Sequence, residues 1–169
     1  IIKYINFDII KKHPNKKIFQ GFSDNSILTF LLETMSNWNT FYAPCFPTFG
    51  YEKWDQTIKD NIELLKGHII EQYSQKLFET KSYKKIEGKE LCGYNLDTLS
   101  SVTELTGLND FTVSGTLLGG CLDILQDLPK SQYDNMQEYN KKHKNIIIIY
   151  PNFNIKFKKM LHCLTFKLK

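Results

Sequence analysis

The stretch KIFQGFSDNSILTFLLETM, residues 17–35, decides the fold of this 169-residue chain. Residues 17–22 are typical of a short strand. Apolar side chains then recur at helical spacing and predict a helix over residues 25–35; they are Leu28, Leu31, Leu32 and Met35. Ser23 and Asp24 lie at the joint, so the strand is expected to pass directly into the helix.

Further elements are predicted on the C-terminal side of this stretch. They are an extended piece at 40–42, a helix at 54–70, a strand at 111–118, a helix at 121–125, a strand at 146–150 and a last helix at 157–168. Residues 71–93 are polar and weakly periodic, which indicates a connecting region, and residues 130–145 indicate a polar loop or a short helix. Alternating strands and helices favour an α/β or α+β protein.

The composition indicates a folded domain and excludes some function classes. Hydrophobic residues make up 41% of the chain and charged residues 24%, the proportions of a globular protein. No apolar run approaches the roughly 20 residues of a membrane span, so no membrane association is expected. Every basic residue is a lysine, and residues 141–169 carry eight lysines and no acid. Because the chain has no arginine to bind base edges bidentately, no nucleic-acid partner is expected.

The cysteines and histidines lack the spacing of metal ligands. Cys45, Cys92, Cys121 and Cys163 form no CxxC pair, which favours reduced thiols in a cytoplasmic protein. The four histidines are also widely separated. We therefore expect no metal site and no cofactor.

Ser23 has two interpretations on the local pattern. A serine on a tight strand-to-helix turn projects its hydroxyl group where the first amides of the helix also point, so the Asp24 N–H could hold an oxyanion formed by Ser23 attack. Alternatively, Ser23 and Asp24 are preferred helix N-cap residues, and a cap worth about 1 kcal/mol explains them without catalysis.

Several motifs in the same order along the chain resemble one family of serine peptidases. They are GFSD at 21–24, TFYAP at 40–44, FG at 49–50, GGCL at 119–122, and the strand and helix of residues 146–169. The set resembles the LD-carboxypeptidases and microcin C immunity proteins, whose corresponding motifs are GYSD, TFYGP, FGE and GGNL.

The resemblance implies an enzyme that cleaves an amide next to a terminal carboxylate, in a murein tetrapeptide or related peptide. It assigns the nucleophile to Ser23 and an oxyanion-hole backbone amide to Asp24. The family pairs its serine with a glutamate and a histidine, which activate the hydroxyl group. It also implies a small peptide or muropeptide as substrate, and a homodimer as the assembly.

The chain departs from the family pattern at several positions. Asn152 aligns with the family's glutamate, and an amide in place of a triad carboxylate lowers turnover by about 10⁴-fold in another serine hydrolase. His162 lies at a position that is not catalytic in the family. Ala43 and Cys121 replace a glycine and an asparagine, and Cys121 is interpreted as a packing substitution. The family's histidine region and upstream glycine-rich turn have no counterpart in these 169 residues, so impaired activity is expected of the chain alone.

The expected fold class is α/β: the C-terminal half of a parallel-sheet N-terminal domain, a linker, and the start of a mixed, β-rich C-terminal domain. The corresponding ranges are 1–70, with the nucleophile turn, then 71–110 and 111–169. Two alternatives to an impaired hydrolase stay open. One is a non-catalytic relative that acts as a binding or interaction protein, and the other is a decaying gene product.

Overall fold

The computed structural model describes residues 1–101 and 112–149. The helices are α1 (Phe7–Lys12), α2 (Ser26–Ser36), α3 (Gln56–Leu65), α4 (Leu122–Leu125) and α5 (Met136–Lys142). The strands are β1 (Phe19–Gly21), β2 (Thr40–Tyr42), β3 (Leu77–Glu79), β4 (Leu96–Leu99), β5 (Thr116–Gly119) and β6 (Ile146–Ile149). This mixture of short parallel and antiparallel sheets with helices confirms the predicted α/β class.

The chain divides into two compact units. Within the described ranges, the first unit comprises residues 1–43 and 114–149, and the second comprises residues 44–101 and 112–113. The boundaries predicted at 70 and 110 concern the domains of a whole enzyme and stay a prediction. Among the residues that the structure describes, no helix has the length and apolar character needed to cross a membrane.

The first unit is built on a β1–α2–β2 crossover. β1 and β2 are parallel, with Phe19 opposite Thr40 and Gly21 opposite Tyr42. Helix α2 ends because Asn37 adopts the left-handed conformation, φ 55°, and its N–H donates to carbonyl groups of the last turn. The chain can then return to pair with β1. Both strands and the helix lie where the sequence predicts them.

The core of the first unit lies along the buried face of α2. Leu31 has no exposed surface, and Phe30 and Leu32 are also buried. They pack in one cluster with Leu118 and Leu125, which follow in the second half of the unit. Full burial of a leucine side chain contributes about 1.5–3 kcal/mol. This cluster therefore joins the two sequence segments of the unit.

Strands β5 and β6 form a second parallel pair in the first unit, with Thr116 opposite Ile146 and Gly119 opposite Ile149. Gly119 is required at its position, because a Cβ there would lie 1.8 Å from the carbonyl oxygen of Ile149. Four predictions fall in this region. Among the described residues, the strand predicted at 111–118 is observed over 116–119 and the helix predicted at 121–125 is observed over 122–125. The short helix of residues 130–145 is present as α5, and the strand of residues 146–150 is observed over 146–149.

Helix α1 was not among the predicted elements. Asn6 caps it by accepting a hydrogen bond from the Ile9 N–H at 3.1 Å, Asp8 lies in its first turn and two lysines lie in its last turn. A capping side chain, an acid in the first turn and lysines in the last turn are together a sequence signal of a helix. The helix has only six residues, however, and Ile9 is exposed, so no long apolar stripe marks it.

The second unit contains α3 and an antiparallel pair. Asp55 caps α3 through the Ile58 N–H at 3.0 Å, and Gly67 follows the helix at φ 85°, so α3 is shorter than the predicted 54–70. β3 pairs with β4, with an irregularity at Phe78 and Glu79. The polar region 71–93, predicted to be a connection, therefore contains a strand. The last predicted helix, residues 157–168, lies outside the described residues.

Candidate active site

Ser23 lies on a tight turn between β1 and α2. β1 ends at Gly21, Phe22 is extended, and residues 23–25 form a single 3₁₀ turn before α2 begins at Ser26. Ser23 has φ 53°, the left-handed conformation, which costs a non-glycine residue about 1–2 kcal/mol. Its side chain is half-buried. The backbone thus holds this serine in a strained conformation at the predicted strand-to-helix joint.

The capping interpretation of Ser23 and Asp24 does not fit this turn. The N-cap residue of α2 is Asn25, and that of the 3₁₀ turn is Phe22. Ser23 and Asp24 both lie inside the 3₁₀ turn. A stabilising cap therefore does not account for a serine at position 23, and the strain at this residue needs another explanation.

Gly21 allows the turn to fold back closely on the end of β1. A Cβ at Gly21 would lie 2.6 Å from the Cβ of Asn25, which is shorter than the contact distance of two non-bonded carbon atoms. The strand end and the 3₁₀ turn therefore touch only because residue 21 has no side chain.

Tyr42, the last residue of β2, joins the turn from the neighbouring strand. The pairing places Tyr42 opposite Gly21, and the Ala43 N–H donates to the Gly21 carbonyl group at 3.2 Å. Partial burial raises the Tyr42 pKa, against smaller opposing contributions from the Ser23 backbone and the Ser26 side chain, so Tyr42 is a neutral phenol at physiological pH.

Ser26 links the turn to the end of β5. It has no exposed surface, and its Oγ accepts a hydrogen bond from the Cys121 N–H at 2.9 Å. Gly120 makes this approach possible: its φ is 149°, and a Cβ there would lie 2.9 Å from the Ser26 Cβ. The carboxyl ends of β1, β2 and β5 therefore meet around Ser26, the place where open α/β folds bind ligands.

Cys121 is buried beside this network, as its interpretation as a packing residue requires. The thiol contributes to the raised pKa of Tyr42. Its backbone N–H is the donor to Ser26. The residue therefore takes part in the site through its main chain.

The described histidines make contacts elsewhere. His13 bonds to the backbone of Asn15, and His68 to Glu63 in the second unit. His143 contacts Thr116 through Nδ1 at 3.2 Å. His162 and Asn152, the position of the family's glutamate, lie outside the described residues. The structure thus brings together Ser23 and Asp24 of the predicted site, and adds Tyr42 and Ser26, which sequence reasoning missed.

A second polar cluster joins α2 to α5 within the first unit. Tyr139 is 2% exposed, and its hydroxyl group donates to Glu33 Oε1 at 2.9 Å. The ring of Tyr139 stacks on His143, with centroids 4.1 Å apart. Burial raises the pKa of Glu33, against opposing contributions from Tyr139 and His143. This cluster is structural, since Tyr139 is enclosed in the core.

Comparison with known proteins finds solved structures with a similar fold. No protein-family model and no curated protein sequence matches the chain. Among solved structures, the MccF-like protein from Bacillus anthracis str. Ames matches with a TM-score of 0.61 and 23% identity, over 78% of this chain and 38% of that protein. The microcin C7 self immunity protein MccF in its wild-type apo state has a TM-score of 0.46 and 26% identity. MccF in complex with glutamyl sulfamoyl guanosine has a TM-score of 0.45 and 22% identity.

The match to the Bacillus protein is a likeness of fold. The chain spans only 38% of the length of that protein, and 39% of MccF. The likeness confirms the resemblance predicted from the GFSD, TFYAP and GGCL motifs. The chain is similar in fold to the MccF-like proteins of the LD-carboxypeptidase family, and it is a partial copy of that fold.

Proposed function

We propose that this chain carries the nucleophile of an LD-carboxypeptidase-like serine hydrolase, which cleaves an amide next to a terminal carboxylate in a murein tetrapeptide or related peptide. One observation carries the proposal: Ser23 is held at φ 53° on a strand-to-helix turn without serving as a cap. Such a turn exposes a nucleophilic hydroxyl group above a sheet in other serine hydrolases.

The chemistry follows from the position of the hydroxyl group at the start of α2. Ser23 Oγ attacks the carbonyl carbon, and its proton passes to a general base. The oxyanion accepts a hydrogen bond from the Asp24 N–H, and the amino end of the helix adds a favourable field. Collapse of the intermediate releases the amine, which takes the proton, and leaves an acyl-serine ester that water then hydrolyses.

His13, His68 and His143 make other contacts, and the family's histidine has no counterpart in these 169 residues, so this chain alone is expected to lack an efficient general base for Ser23. Asn152 in place of the family's glutamate lets an amide orient a histidine but not stabilise its charged form. We therefore expect turnover lower by about 10⁴-fold than with a carboxylate there, by analogy with another triad.

The experiment is release of D-alanine from a disaccharide tetrapeptide, followed by mass spectrometry. Ser23→Ala is the test variant, and Ser114→Ala, at an exposed serine of the same unit, is the matched control. Release that Ser23→Ala abolishes and Ser114→Ala retains supports the proposal. Release that survives in Ser23→Ala contradicts it.

A second candidate is a binding protein without catalysis, favoured by Asn152 and by the other contacts of the described histidines. It predicts that a peptide ending in a D-amino acid binds and is recovered intact. Titration calorimetry with the same tetrapeptide, with mass spectrometry of the bound fraction, separates it from the hydrolase: intact ligand supports binding alone, and shortened peptide supports the enzyme.

A further inference from the structure

We infer that Ser26 is a positioning residue, which holds the nucleophile turn and the end of β5 in one arrangement through its backbone N–H and its side-chain oxygen. The Ser26 N–H donates to the carbonyl group of Ser23, and the Ser26 Oγ accepts a hydrogen bond from the Cys121 N–H at 2.9 Å. The inference rests on the proposed function in one respect, because the arrangement matters for reactivity only if Ser23 is the nucleophile.

The backbone of Ser26 closes the turn that contains Ser23. Residues 23–25 form the 3₁₀ turn, and the bond from the Ser26 N–H to the Ser23 carbonyl group ends it. Ser26 has φ −55° and ψ −35°, ordinary helical values, and its own carbonyl group accepts a hydrogen bond from the Thr29 hydroxyl group at 3.0 Å. The strained residue is therefore bonded directly to a regular helical one, so a displacement of Ser26 also displaces Ser23.

The side chain of Ser26 makes a contact between two sheets of the first unit. Its partner Cys121 is 95 residues away in the chain. Cys121 is the N-cap residue of α4, and only Gly120 separates it from the last residue of β5. The hydrogen bond therefore fixes the end of the β5–β6 pair against the helix that follows β1.

Burial makes this hydrogen bond necessary. Ser26 has no exposed surface and Cys121 is also buried, so water cannot replace either partner. A buried N–H that loses its acceptor is strongly unfavourable. The contact is also close, since a Cβ at Gly120 would lie 2.9 Å from the Ser26 Cβ and 3.1 Å from the Ser26 Oγ. The end of β5 is therefore held in one position by the Ser26 oxygen.

This position bears on the chemistry because Ser23 and the Asp24 N–H belong to the turn that Ser26 closes. A nucleophile and an oxyanion donor act only in a fixed geometry relative to the substrate. Substrates of open α/β folds bind at the carboxyl ends of the strands, and Ser26 ties the turn to one such end. A displacement of about 1 Å can lower a rate on the order of 10²-fold, so we expect loss of this tie to reduce reactivity more than affinity.

Ser26→Ala removes the acceptor for the Cys121 N–H and retains the backbone of the turn. Thr34→Val is the matched control, because Thr34 is also a buried hydroxyl residue of α2 and donates within its own helix, to the Phe30 carbonyl group at 2.8 Å. Amide hydrogen exchange at Cys121 is followed by NMR. We expect it to rise roughly two- to tenfold in Ser26→Ala, the worth of one hydrogen bond, and to stay at the wild-type value in Thr34→Val.

Reactivity of Ser23 is measured with a fluorophosphonate probe, which labels an activated serine without needing the peptide substrate. Rates are compared at a temperature at which circular dichroism shows wild type and both variants folded. We expect the maximal labelling rate to fall roughly tenfold in Ser26→Ala, with the probe concentration at half-maximal rate unchanged, and to stay at the wild-type value in Thr34→Val. If Ser26→Ala does not fold, Ser26→Cys replaces it, because a thiol is a weaker acceptor and the same changes are expected at smaller size.

Unchanged exchange at Cys121 in Ser26→Ala overturns the inference. Faster exchange with an undiminished labelling rate, or an equal loss of labelling in Thr34→Val, also overturns it, because the hydrogen bond would then have a structural role alone. If the wild-type chain does not react with the probe, the proposed function fails, while exchange at Cys121 still decides whether Ser26 holds the end of β5.

Discussion

Gly120→Ala tests the close approach between the end of β5 and the start of α2. Gly120 has φ 149°, and the added Cβ would lie 2.9 Å from the Ser26 Cβ and 3.2 Å from Leu125 Cδ1. Backbone strain costs about 1–3 kcal/mol, and an extra carbon in a packed core costs about 1–3 kcal/mol. We expect a total loss near 4 kcal/mol, a large part of the about 5–15 kcal/mol of a typical domain.

Urea unfolding measures this loss of unfolding free energy separately for each of the two units. Trp38 lies in the first unit and Trp54 in the second, so Trp54→Phe leaves a fluorescence reporter of the unit that contains Gly120. With a urea slope of about 1.5 kcal/mol per molar, the midpoint falls by roughly 2.5 M. Gly67→Ala, read through Trp54 in a Trp38→Phe background, is the control, because Gly67 has φ 85° but no atom within 4 Å of the added carbon.

The two variants separate strain from packing. Gly67→Ala measures backbone strain alone, and we expect it to cost about 1–2 kcal/mol. If Gly120→Ala costs no more than Gly67→Ala, then the end of β5 does not pack on Ser26 as described, and the argument that three strand ends meet there is wrong.

Two further predictions concern the first unit. Glu33→Gln retains the acceptor for Tyr139 and removes a buried charge. The pKa of Glu33 is raised above its ordinary 4.5, so the protonated side chain stabilises the fold below pH 4.5 and this contribution is lost as the pH rises through the raised pKa. We therefore expect Glu33→Gln to have a higher melting temperature than wild type at pH 8 and to lose that advantage near pH 4. A pH-independent difference contradicts this. Asn6→Ala removes the cap of α1 and is expected to cost about 1 kcal/mol in urea unfolding; a loss below about 0.3 kcal/mol shows that packing alone holds the helix.

Much of the first unit could be predicted from local pattern. The apolar spacing of residues 25–35 located α2, and the β-branched run before Pro151 located β6. The pairing of the strands was harder to predict from the sequence, because the two strands of a parallel pair lie far apart in the chain, as β5 and β6 do. The β3–β4 pair was missed, since β3 has only three residues in a lysine-rich segment and carries an irregular register.

The residues of the candidate site also differ in how far they could be predicted from the sequence. A joint between strand and helix located Ser23 and Asp24, because both follow from local sequence. Tyr42 and Ser26 could not be found in this way, since the position of Tyr42 beside the turn depends on the register that places it opposite Gly21. The hydrogen bond from Cys121 to Ser26 spans 95 residues. A parallel pairing of residues 19–21 with 40–42, if assumed, is the signal that could have identified Tyr42.

The left-handed backbone at Ser23 also limits what can replace it over evolutionary time. Glycine fits that conformation freely and asparagine or aspartate tolerates it, whereas β-branched residues do not. Gene copies that no longer require an alcohol at this turn are expected to drift towards glycine or asparagine. The residue found at this one position in natural variants is therefore a record of which copies are still under selection for a reactive hydroxyl group.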